Sequence, residues 1–131
     1  MTISKWMHAG TVLKMNAINY PDKLGWQDKN REFTFKKWNE RSCRFANALT
    51  DLRVGHQDTF AVLAYNRGEW MDIYAGCAKG GQMVVPIMFR LAGPDIEYIT
   101  NHSECKAFVV EERFVEMSDS TKVKTPIHEN A

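Results

Sequence analysis

A small set of residues in this chain has the types and spacing that chemistry would need. Gly80-Gly81 follows a helical stretch, and a glycine turn can cradle a phosphate with its backbone N–H groups. A phosphate nest opens a helix, however, and this short pair leads into an apolar strand, so it reads as a helix terminator with a left-handed cap. Asn66 and Glu69 stand three apart ahead of an apolar stretch. Asn66 could face a ligand at the carboxyl end of a strand, but a capping box at the start of the helix accounts for both residues. Arg90 follows Pro86 on an exit loop, where it could meet a phosphate. A surface ion pair, or packing against a neighbouring subdomain, is the simpler role. Lys37, Arg41 and Arg44 form a basic stripe at i, i+4 and i+7 that reads as a solvated helix face rather than a nucleic-acid contact. His102 and Cys105 have neither a second ligand pair nor a base partner, so they read as structural. Trp70, Met71 and Tyr74, at helical spacing, read as core before they read as walls of a ligand pocket.

The elements that must position these residues follow from periodicity. Apolar residues over 6–18 (Trp6, Ala9, Leu13, Ala17, Ile18) predict a first amphipathic helix that stops before Tyr20-Pro21. Strands over 24–28 and 32–35 flank Lys29-Asn30-Arg31 as a hairpin. Phe35, Trp38, Phe45, Ala46, Leu49 and Leu52 form one stripe of a long helix that Thr34 caps and Val54-Gly55 ends. Lys37 stands where a capping box would place Glu or Gln, so packing must hold this helix. Residues 59–65 are continuously apolar, as in a strand covered on both faces. A helix over 66–79 follows, with only Asp72 and Lys79 facing solvent, then a strand over 83–87 and an exit loop opening at Pro86. Gly93-Pro94-Asp95 starts another helix, and 107–110 forms a last strand. This β-α-β-α-β order predicts an α/β fold of three layers around a small, mainly parallel sheet with right-handed crossovers. Residues 1–117 form one partial unit, and 118–131 form a polar, mobile tail. So few strands leave at least one sheet edge in need of a partner.

Composition narrows the classes. Lys and Arg total 17 against 16 acidic residues, a net charge of +1 that supplies no global field for nucleic acid. The three cysteines form no C-x-x-C pair, which argues against a disulfide framework or a zinc knuckle and fits a reducing, cytoplasmic setting. The amino terminus lacks the apolar core of a signal peptide, and no apolar run approaches the ~20 residues that span a bilayer.

The segments FTFKKWNERSCRFANAL, DTFAVLAYNRGEWMDIYAGCAKGGQMVVPIMFRL and DIEYITNHSECKAFVV resemble the first subdomain of the adenylate-forming acyl- and aryl-CoA synthetases. The resemblance covers about residues 6–115. Its most specific parts are Ala78-Lys79-Gly80-Gly81 leading into Val84-Val85-Pro86-Ile87, and the exit Phe89-Arg90-Leu91. It implies activation of a carboxylate by ATP and Mg²⁺ to an acyl-adenylate, which the thiol of coenzyme A then opens. Arg90, by its place on the exit loop, is a candidate for contacting a phosphate or coenzyme A. The family's Gly/Ser/Thr-rich phosphate loop, acidic ribose motif and carboxy-terminal lysine domain have no counterpart in this sequence. The chain alone is therefore expected to be catalytically incomplete and to take no cofactor; ATP, Mg²⁺ and coenzyme A belong to the full-length family enzyme. The partner expected is the remainder of such a ligase, or a second copy paired through an open sheet edge. A free-standing binding or dimerisation module derived from the same subdomain is the alternative. Met88 stands where the family usually has Asn, and residues beyond Met117 do not resemble the family's continuation.

Overall fold

A computed structural model describes residues 7–121. The chain runs α1 (Ala9–Asn19), β1 (Leu24–Gln27), β2 (Glu32–Thr34), α2 (Phe35–Asp51), β3 (Thr59–Leu63), α3 (Glu69–Gly80), β4 (Met83–Ile87), α4 (Gly93–His102) and β5 (Ala107–Val110), then a 3-10 turn (Glu112–Phe114) and α5 (Val115–Ser120). β1 and β2 pair as an antiparallel hairpin, while β4-β3-β5 form a parallel sheet in that order.

β3 is the central strand, which is why its sequence is apolar without alternation: residues 60–63 are all buried. Its side chains still alternate between two cores. Phe60 and Val62 meet Leu49, Val54, Ile73 and Cys77 from α2, α3 and the loop between α2 and β3. Ala61 and Leu63 meet Ile87, Ile96 and Cys105 on the α4 side, where Phe114 and Met117 also pack. The layers are thus α2 and α3, the sheet, then α4 with α5. From β3 the chain crosses one face to β4, then returns across the other face to β5, so both crossovers have the same hand.

Pro86 lies within β4, opposite Val62, rather than at the mouth of the exit loop. The Met83 amide donates to Asp58 O at 2.9 Å, and donors alternate along a parallel ladder, so Val85 and Ile87 face β3 while Pro86 faces the open edge. The proline costs no ladder bond there and interrupts the free edge against further pairing.

Gly80-Gly81 terminates α3 as expected. Gly81 is left-handed at φ 73°, and its amide donates to Cys77 O at 2.8 Å. A Cβ on Gly81 would fall 2.3 Å from His56 Cδ2. Gly81→Ala should therefore lose about 1–2 kcal/mol in urea denaturation, most of it from the left-handed backbone.

Other expectations are corrected. α2 ends at Asp51 with Leu52 in the cap position, and the chain turns away through Arg53, a non-glycine residue at φ 61°, with the Val54 amide donating to Leu49 O at 2.9 Å. Val54-Gly55 is not the terminator, because the buried Val54 supplies the apolar contact that such a cap needs. The hairpin turn is organised by the Asp28 carboxylate, which accepts from the Asn30 and Arg31 amides at 2.9 and 2.8 Å, so Asp28 belongs to the turn and not to β1. Ile18 is 68% exposed and points away from the α1 contact made by buried Gly10 and Leu13. On α3 the expected exposure is reversed: Asp72 is 6% exposed, while Met71 and Tyr74 reach solvent. Lys79, the other residue expected in solvent, donates to Asn39 Oδ1 at 2.7 Å. The boundary at Met117 falls inside α5, and Ser118 and Thr121 are buried. Trp6 and residues 122–131 of the tail expected over 118–131 lie outside the described residues.

Candidate functional site

The loop leaving β3 turns to the α3 face, whereas the loops leaving β4 and β5 turn to the α4 face. Divergence of this kind opens a crevice at the carboxyl ends of the strands, the ligand side of doubly wound sheets. A groove of about 720 Å³ lies there, between residues 66–68 with Trp70 and Tyr74 on one side and residues 86–89 on the other.

Asn66 lies on the groove wall and is not the cap of α3. The helix starts at Glu69 with Gly68 in the cap position and no side-chain cap bond, and its first turn is set by the Met71 amide donating to Gly68 O at 2.9 Å. Two forces displace the capping box. Glu69 is drawn to Arg31 at 2.8 Å and Arg67 at 3.2 Å, and charge-assisted bonds outweigh a bond to a neutral amide. Gly68 packs so closely on the hairpin that a Cβ would fall 2.5 Å from Trp26 Cζ3, which seats glycine at the helix start.

The hydrogen bond from Arg31 is the main cause that pulls the Glu69 carboxyl down from its ordinary 4.5 to about 2. A depressed carboxyl pKa gives stability that is complete above pH 4.5 and lost as pH falls toward 2. Glu69 is about one-third exposed, so after solvent screening the contribution should be about 1 kcal/mol. Melting temperature against pH checks this: Glu69→Gln should lose about 1 kcal/mol at neutral pH, flatten the acid limb between about pH 5 and 2, and meet the parent near pH 2.

The three loops are held together by an aromatic cluster that periodicity does not reveal. The Tyr65 ring lies 4.4 Å from Phe89 and 5.1 Å from Phe114, with the Arg113 guanidinium 4.9 Å above it. Trp70 Nε1 donates to Tyr65 O at 2.9 Å, so Trp70 belongs to the core side, while Tyr74 stacks on it from solvent at 5.4 Å. Phe89-Arg90 had marked the exit loop in sequence, but nothing local ties Phe89 to Tyr65.

The cations divide sharply. Arg67 is shared between Glu69 and Glu111. Arg90 is exposed, lies 5.5 Å over the Phe89 ring, and has no carboxylate partner among the described residues. The basic stripe on α2 is not a free face: Arg41 binds Asp72 at 2.6 Å, and Arg44 reaches Glu40 at 3.9 Å. Gly80 and Gly81 sit at the amino end of β4, the far end of the sheet from the groove, with the Gln82 side chain folded over Gly80. His102 stacks flat on Tyr98 at 5.4 Å, and burial pushes the Cys105 thiol up, so the two share no site. Among the described residues no group of His, Cys, Asp and Glu is placed to hold a metal ion, and no helix is long and apolar enough to cross a membrane.

The groove thus lies at the carboxyl ends of a small, doubly wound parallel sheet, the architecture of an α/β ligand-binding layer. The AMP-binding enzyme family model matches residues 13–130, and the chain belongs to that family. Indoleacetate–CoA ligase of Aromatoleum aromaticum is 30% identical over 92% of the chain and 22% of its own length. Long-chain-fatty-acid–CoA ligase FadD13 of Mycobacterium tuberculosis is 34% identical over 76% and 20%. The inhibitor-bound N-terminal domain of FACL13 from Mycobacterium tuberculosis superposes with a TM-score of 0.82 at 26% identity, covering 88% of this chain and 29% of that one. The anthranilate CoA ligase AuaEII shares the fold with a TM-score of 0.81 at 24% identity, over 90% and 23%. The chain therefore spans about a fifth of the length of the curated relatives it matches. The family match also runs past Met117, where the sequence alone showed no continuation of the family pattern.

Proposed function

We propose that the chain is the amino-terminal scaffold of an ATP-dependent acyl- or aryl-CoA ligase, acting in the cytoplasm, and that it carries no catalytic step by itself. The observation that carries this reading is the family match over 13–130, joined to a relative 30% identical across nearly the whole chain. The groove offers apolar walls, and the exposed Arg90 follows its lining residue Phe89 in sequence; the lining has no run of glycines to make a nest for a triphosphate, and among the described residues no cluster of carboxylates is placed for Mg²⁺. In the complete enzyme, ATP and Mg²⁺ would supply the adenylation and coenzyme A the acceptor thiol. This chain would contribute the layer against which those later elements fold, with Arg90 as its candidate contact to the phosphates of coenzyme A.

The test is pyrophosphate release by the chain alone with ATP, Mg²⁺ and a panel of aromatic and aliphatic carboxylic acids. The expected rate equals that of a heat-inactivated control, and turnover above it would overturn the scaffold reading. The coding sequence beyond codon 131 tests the ligase reading separately: a Gly/Ser/Thr-rich phosphate loop should follow in frame. A stop codon there, with a native mass of 15.1 kDa, would favour a free-standing module. The open strand edges support that second reading. Because Pro86 interrupts the β4 edge, pairing with a second copy would use β5, and light scattering showing only monomer at high concentration would remove it.

A further inference from the structure

We propose that a chain of alternating charges across the carboxyl end of the sheet is a positioning relay through which the hairpin sets the groove wall. Asp28 holds Arg31 at 2.6 Å on the hairpin turn, and Arg31 Nη1 reaches Glu69 Oε1 at 2.8 Å at the start of α3. Glu69 Oε2 accepts from Arg67 Nε at 3.2 Å, and Arg67 Nη1 lies 3.2 Å from Glu111 Oε1 beyond β5. Arg113 Nε lies 3.0 Å from that same Glu111 oxygen. The second oxygen, Glu111 Oε2, accepts the backbone N–H of Tyr65 at 2.9 Å.

The chain is unbroken, alternates in sign and joins three elements remote in sequence. Arg67 and the Tyr65 amide belong to the groove-wall loop, and each is held by Glu111, a side chain only 8% exposed. Buried charges are sensitive to any change in their partners. Glu69 Oε1 is shared between Arg31 Nη1 at 2.8 Å and Arg67 Nη2 at 3.4 Å, while Oε2 accepts from Arg67 Nε at 3.2 Å. With Arg31 gone, Glu69 takes Arg67 alone and draws it from Glu111; Glu111 then turns toward Arg113 and loosens its hold on the Tyr65 amide. An anion entering the groove and pairing with Arg67 would send the same disturbance toward the hairpin, since coupling between two sites is reciprocal.

Amide hydrogen exchange on the full chain tests the relay without any turnover, so its outcome is independent of the ligase reading. In Arg31→Met the Tyr65 amide should exchange about fivefold faster, while the β3 amides slow or quicken by less than about twofold. In Glu111→Gln the reciprocal effect, an acceleration of about fivefold against less than about twofold for the β3 amides, is expected at the Arg31 amide, which donates to Asp28 Oδ1 at 2.8 Å. Arg31→Lys, which keeps the charge on Glu69, should restore most of the protection. An unchanged Tyr65 amide, or acceleration equal to that of the β3 amides, would overturn the proposal. If Arg31→Met does not fold, the Glu111→Gln measurement decides by the same criterion.

Discussion

Gly76→Leu should lower the unfolding free energy by about 3 kcal/mol in urea denaturation, with the dependence on denaturant unchanged. Gly76 lies on α3 where that helix packs against Ser42 and Phe45 of α2. A Cβ there would fall 2.7 Å from Phe45 Cδ1 and 3.0 Å from Ser42 O. Neither neighbour can yield cheaply. The carbonyl belongs to the α2 backbone, and Phe45 is wedged against the fully buried Phe60 at a ring distance of 5.9 Å. Ser42 is itself completely buried and turns its hydroxyl back to Trp38 O at 2.8 Å, so the small, self-satisfied side chain is what lets the helices meet. A leucine must therefore separate the helices and open the core over β3. Gly76→Ala should cost about 1–2 kcal/mol, because a single methyl still meets the Phe45 ring. A loss below about 0.5 kcal/mol for the leucine variant would show that the seam is loose.

The seam illustrates what the sequence reveals and what it hides. β3, the hydrophobic stripe of α2, the left-handed Gly81 and the parallel order all follow from local period and turn chemistry, since each depends on residues within a few positions of one another. Ser42 and Gly76 do not, because their small size has meaning only once the two helices face each other. The same holds at the groove. Asn66 and Glu69 satisfy a capping pattern perfectly well in sequence; Arg31, 38 residues away, breaks it. Arg53 in a left-handed cap and Asp28 as the turn organiser also defeat residue preference, one because Val54 must enter the core and the other because its oxygen serves two amides at once. The double glycine could be excluded as a phosphate site from its place before a strand. That it lies at the opposite end of the sheet from the groove follows only from the parallel topology.

Arg41→Met should be comparably damaging, at about 3 kcal/mol, and its effect separates a buried ion pair from a decorative surface charge. By position Arg41 belongs to the basic stripe of α2 and should face water. Instead its Nη2 and Nε meet Asp72 Oδ2 at 2.6 and 2.8 Å, with the guanidinium 4.8 Å from the Phe33 ring. Asp72 is 6% exposed, and its other oxygen has no hydrogen-bond partner among the described residues. Removing Arg41 leaves that largely buried carboxylate without its cation at the contact between α2 and α3. Asp72 also stands in the first turn of α3, so its negative charge favours the helix dipole, and replacing it costs something even when the pair is gone. The double variant Arg41→Met/Asp72→Leu should therefore recover about 2 kcal/mol of the single-variant loss without returning fully to the parent. A double-mutant cycle by urea denaturation measures the coupling directly. A loss under about 1 kcal/mol for Arg41→Met would place the residue among solvated surface charges. A coupled pair leaves Arg44 and Lys37 as the exposed remnant of the stripe, too few cations to track a nucleic-acid backbone.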